Sequence, residues 1–126
     1  MRRVSVTLPD EVFALLEELA RGVNRSRVVA DAIVEYAARR IKPGARYSGA
    51  VLVFYDHSRG ETVKGLVEAQ HHFLGEVRAS THVHLTREKC VDVLAVTGRG
   101  EDILRLVESL RRISGVITVQ YTLVEY

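Results

Sequence analysis

Polar and apolar residues alternate strictly along Arg3-Val4-Ser5-Val6-Thr7-Leu8, the two-residue period of a half-buried strand. Pro9 then opens a helix at a position where its missing N–H is no loss, and Asp10 and Glu11 suit the positive end of the dipole. Val12, Phe13, Leu15, Leu16 and Leu19 keep helical spacing until Gly22 stops the run. A second helix, capped by Asn24 or Ser26, presents Val28, Val29, Ala32, Ile33, Tyr36 and Ala37 on one face. One strand and two short helices cannot bury an adequate core, and the strand has no local partner. Pairing it with its copy from a second chain predicts a dimeric antiparallel ribbon over four helices. Val4, Val6 and Leu8 would then face inward, and Arg3, Ser5 and Thr7 outward.

Ile41-Lys42-Pro43-Gly44-Ala45-Arg46 punctuates the chain and divides it into residues 1–46 and 47–126. After the break, residues 48–56 form a near-continuous apolar strand and 61–74 an amphipathic helix. Strand patterns follow at 79–86 and 90–97, a helix at 101–113 and a last strand at 116–124. The order βαββαβ predicts a ferredoxin-like domain, a four-stranded sheet with two helices on one face and edges that invite self-association.

Composition adds limits. At 126 residues, 47% hydrophobic and 27% charged, the chain is a folded protein with no apolar run fit to cross a bilayer and no signal-peptide pattern. One cysteine cannot form an internal disulfide, which points to a reducing cytoplasm. The net charge of +2 is unevenly spread. Residues 1–46 hold nine Lys/Arg against six Asp/Glu, and residues 47–126 nine against ten. The basic surface therefore belongs to the first segment, where a dimeric ribbon fits a DNA major groove and Arg3, Ser5 and Thr7 can hydrogen-bond base edges. Asn24, Arg25 and Ser26, at the start of the second helix, offer N–H groups and a cation to phosphate.

All five histidines lie between positions 57 and 84. His82 and His84, two apart on a strand, leave the same face. Cys90 opens the next strand after a short Thr86-Arg87-Glu88-Lys89 turn, so a hairpin brings its sulfur toward both rings. His71 and His72 sit on the preceding helix. Three imidazoles and a thiolate suit a four-coordinate, borderline-soft divalent ion. His57, in a loop, and His72 read as surface residues or auxiliary metal contacts. A Cys/His nucleophile would also need an oxyanion site and a substrate pocket, so no enzyme is expected.

Together, Arg3-Val4-Ser5-Val6-Thr7-Leu8, the Asn24-Arg25-Ser26 turn, Gln70-His71-His72, Thr81-His82-Val83-His84 and the spacing to Cys90 resemble the nickel-responsive (NikR-type) transcriptional regulators. The resemblance covers essentially the whole chain. It implies an α+β protein, a ribbon-helix-helix DNA-binding domain followed by an ACT-like βαββαβ domain, assembled as a homotetramer (a dimer of dimers). It implies one Ni(II) per chain in square-planar coordination by His82, His84 and Cys90 of one subunit and His71 of another, with Gln70 and Asp92 supporting the ligands. It also implies binding to double-stranded operator DNA through Arg3, Ser5 and Thr7, and repression of nickel-uptake genes when nickel is bound. One position departs from the family pattern. Where the family commonly has a glutamate that joins an aspartate to bind a second cation, this chain has Arg27, four residues before Asp31. The expectation is that the guanidinium takes the cation's role. A second reading of the whole is an ACT-like sensor of a small metabolite with no metal site.

Overall fold

The computed structural model describes residues 1–126 and divides into two units, Met1–Arg40 and Ile41–Tyr126. The first holds α1 (Asp10–Leu19) and α2 (Arg25–Ala38). Asn24 caps α2, its Oδ1 accepting from the Arg27 N–H at 2.8 Å, and Gly22 turns the chain between the helices with φ of +79°. Neither helix has a buried residue. Residues 3–8 form no strand within the single chain, contrary to the expected ribbon, and Val4 and Val6 are 79% and 69% exposed. A strand is defined by its ladder, and one copy of an isolated segment has nothing to pair with.

The second unit has the expected βαββαβ order: β1 (Arg46–Asp56), α3 (Gly60–His72), β2 (Val77–His84), β3 (Lys89–Arg99), α4 (Gly100–Arg111) and β4 (Val116–Glu125). The sheet is antiparallel throughout, in the order β2-β3-β1-β4. Alternate residues Tyr47, Val51, Val53 and Tyr55 of β1 and Cys90, Leu94 and Val96 of β3 pack into one core with Leu66 of α3 and Ile103, Leu106, Val107 and Leu110 of α4. The connector is fastened to this unit. Ile41 packs against the core, and the Lys42 N–H donates to the Tyr47 hydroxyl at 2.9 Å. Gly49 is required where β1 meets β4, since a Cβ there would stand 1.9 Å from the Thr122 carbonyl oxygen.

β2 ends at His84, two residues before its expected limit. The reason is Thr86, whose Oγ1 accepts from the Lys89 N–H at 3.0 Å and so closes the turn early. As the sheet's edge strand, β2 is exposed at every residue but Val77.

Candidate metal centre

Three strands bring the candidate ligands together. β3 lies between β2 and β1, and its register sets Cys90 opposite His84 on one side and Tyr55 on the other. Asp92, two residues along the same face, lies opposite His82. Cys90 is fully buried, and its Sγ is 3.4 Å from His84 Nδ1 and 3.3 Å from His57 Nδ1. The donor atoms of His57, His84 and Cys90 all lie within 4.8 Å of one another. Burial, reinforced by the Asp92 and Asp56 carboxylates, holds the Cys90 thiol above its ordinary pKa.

His82 stands beside this cluster, its ring centroid 4.6 Å from that of His84. Its Nδ1 is 2.8 Å from Asp92 Oδ1 and 2.9 Å from the Tyr55 hydroxyl, and that hydroxyl donates to the same carboxylate oxygen at 2.9 Å. A carboxylate offers only lone pairs, so the short contact requires the proton to sit on Nδ1. In the neutral ring Nε2 then carries the free lone pair and is the nitrogen left to bind a metal. Burial, followed by the hydrogen bond to Asp92, pushes the Tyr55 phenol well above its usual range.

His71 and His72 occupy the exposed last turn of α3, outside the three-residue cluster, and His72 stacks edge-on against Phe73 with centroids 4.9 Å apart. Gln70 is half-buried one residue earlier. It lines a cavity of about 380 Å³ with Tyr55, Leu66, Ser80, His82 and Asp92. The composition of the cluster is only partly legible in the sequence, because His57 belongs to it. Parity along β1 identifies this residue only once β1 is known to pair with β3: His57 lies two residues beyond Tyr55, which faces Cys90. Its N–H donates to the Glu88 carbonyl at 2.8 Å, prolonging the β1–β3 pairing past the end of the strand.

In the first unit, Arg3, Ser5 and Thr7 are exposed. Arg25 is ion-paired with Glu17 and lies over the Phe13 ring at 5.4 Å, while Ser26 begins the exposed surface of α2. Arg27 Nε is 3.2 Å from each carboxylate oxygen of Asp31.

Residues 48–124 match the model of the NikR C-terminal nickel-binding domain. The chain belongs to the family of nickel-responsive regulators. A Methanosarcina acetivorans relative, named as a candidate nickel-responsive regulator, is 32% identical over 92% of this chain and 87% of its own length. One from Chlorobium phaeobacteroides with the same kind of name is 38% identical over 74% of this chain and 70% of its own. The fold of the second unit is also that of the ACT domain of a Chlorobium tepidum GTP pyrophosphokinase, with a TM-score of 0.50 at 12% identity over 61% of this chain and 99% of that one. The family is one of regulators, not enzymes. No helix here is long and apolar enough to cross a membrane.

Proposed function

We propose that this regulator binds operator DNA and represses nickel-uptake genes when Ni(II) is bound. The observation that carries the metal reading is the register of β2 on β3, with His84 facing Cys90 and His82 facing Asp92. His82, His84 and Cys90 of one chain would hold the ion with His71 of a neighbouring chain, and Asp92 fixes the His82 tautomer. Imidazole and thiolate donors suit nickel, which, bound there, ties two subunits together. One ion per chain follows from one such ligand set per chain.

Self-association has support in both units. The uncovered β2 edge, the exposed His71 and the apolar sheet face carrying Leu52, Phe54 and Val83 leave the second unit with surface suited to further copies of itself. The first unit leaves Val4, Val6, Phe13 and Ile33 exposed, the side chains that a dimeric ribbon-helix-helix would enclose. A homotetramer, two DNA-binding dimers around four ACT-like domains, satisfies both. Arg3, Ser5 and Thr7 would read bases, with Asn24, Arg25 and Ser26 at the phosphates. The Arg25–Glu17 pair is exposed and weak, so the guanidinium can change partner at little cost. Regulation then requires only that the metal-holding arrangement favour the tetramer whose two dimers reach two half-sites at once.

Selection from a randomised double-stranded DNA library, with and without Ni(II), tests the reading. It predicts a palindromic two-half-site sequence recovered only with nickel. Equal recovery in both conditions, or none in either, contradicts it. The metabolite-sensor reading has one favourable observation, the cavity of about 380 Å³ beneath α3. It predicts DNA binding indifferent to Cys90→Ser.

A further inference from the structure

We infer that residues 41–46, the connector, are a rigid arm of the second unit rather than a flexible tether. The freedom between the two units is then confined to the junction of Arg40 with Ile41. Pro43-Gly44 has the composition of a loose break between domains, but the backbone around it is fixed.

Lys42-Pro43-Gly44-Ala45 closes as a type II turn. The Ala45 N–H donates to the Lys42 carbonyl at 3.3 Å, the proline ring sets φ at the second position, and Gly44 supplies the φ of +76° that the third requires. The turn is held from several sides. The Lys42 N–H donates to the Tyr47 hydroxyl at 2.9 Å, and the Gly44 N–H to Glu101 Oε2 at 3.3 Å. The Gly100 N–H, free of a helical partner at the start of α4, donates to the Ala45 carbonyl at 3.0 Å. Lys42 Nζ lies 3.0 Å from Glu125 Oε2 and so joins the arm to the end of β4. Ile41 is half-buried and packs over Gly100, where a Cβ would overlap its Cγ2 and stand 3.0 Å from Tyr47 Cε2. On the other side of the junction the Arg40 N–H still donates to the Ala37 carbonyl at 3.1 Å, which carries helical bonding past the end of α2. One peptide link thus separates the last hydrogen bond of the first unit from the first anchor of the second. The arm is seated where β3, the strand that carries Cys90, runs into α4, so it moves with the sheet. One consequence rests on the operator reading above. A stiff arm swivelling at a single junction limits the separations that two DNA-binding dimers can span, so half-site spacing is read along with half-site sequence.

Backbone 15N relaxation of the full chain tests the arm. Residues 42–46 are expected to share the order of the sheet, with S² about 0.85, and the minimum of order between α2 and β1 to fall at Arg40 and Ile41. A minimum within residues 42–45 of the wild-type chain would overturn the inference. Gly100→Ala leaves no room for Ile41, so it should spread low order into residues 42–45 and speed hydrogen exchange at the Gly44 and Ala45 amides. Wild-type order and exchange in that variant would also overturn it. Ile41→Ala, which adds no atoms to the seat, should act in the same direction and decides the matter if Gly100→Ala does not fold. The consequence for DNA is read separately, as binding to paired half-sites at varied spacing. Gly100→Ala should flatten the wild-type dependence on spacing, and an unchanged dependence would contradict the stiff arm. Absence of DNA binding in both chains counts instead against the operator reading, and the relaxation result stands without it.

Discussion

The Tyr55 hydroxyl donates to Asp92 Oδ1 at 2.9 Å, and that one oxygen also holds the Nδ1 proton of His82. A buried carboxylate thus sets the tautomer of a candidate ligand, and a tyrosine fixes the carboxylate. Asp92→Ala should lower Ni(II) affinity about ten- to a hundredfold. Tyr55→Phe, which leaves the aspartate in place, should cost less than Asp92→Ala. Competition titration against a chelator checks the order, and a nickel affinity unchanged by Asp92→Ala would show that the carboxylate does not support the His82 ligand.

The Cys90 thiol, raised in pKa by burial, holds its proton at pH values where a free thiol with the ordinary value of 9.0 loses it. The folded chain then binds more protons than the unfolded one as pH climbs through that value, so this group's contribution to stability is complete below pH 9.0 and falls above it. In metal-free protein, alkylation by iodoacetamide at neutral pH should be slower than for the denatured chain and should accelerate only in base. Equal rates at neutral pH would contradict the burial.

Two glycines separate packing from chain entropy. Gly49→Ala would drive a methyl group to 1.9 Å from the Thr122 carbonyl oxygen, and displacing β4 should cost about 1–3 kcal/mol. Gly60, at the first residue of α3, faces open space, and Gly60→Ala should stabilise by about 0.4–1 kcal/mol. Urea unfolding of the two variants reads opposite shifts in midpoint.

Arg27 reaches both oxygens of Asp31 at 3.2 Å, occupying the carboxylate that the family's pattern would leave for a cation. Both side chains are exposed, so the pair itself adds only tenths of a kcal/mol. Its expected consequence lies in ion specificity. DNA affinity should not change when potassium is exchanged for sodium at constant ionic strength. A strong potassium requirement would show that Asp31 still binds a cation.

The second unit is legible in the sequence because each element follows its own period and the turns carry recognisable residues. The end of β2 is an exception, since the pattern extends it two residues too far and the Thr86 hydroxyl closes the turn early. His82, His84 and Cys90 can be found from strand parity and a short hairpin. His57 cannot be found in that way, because its place depends on β1 pairing with β3, a contact between segments more than thirty residues apart in the chain. Parity along β1 becomes informative only once that neighbour is known. The N-terminal alternation is readable for the opposite reason. The proposed pairing lies between chains, and in the single chain Val4 and Val6 are in solvent.

The most direct test of the metal centre is a Ni(II) titration of the purified chain followed by visible absorption. The account predicts a thiolate-to-nickel charge-transfer band that saturates at one ion per chain and is absent in Cys90→Ser. Nickel binding without that band, or a spectrum and affinity unchanged by Cys90→Ser, would contradict it.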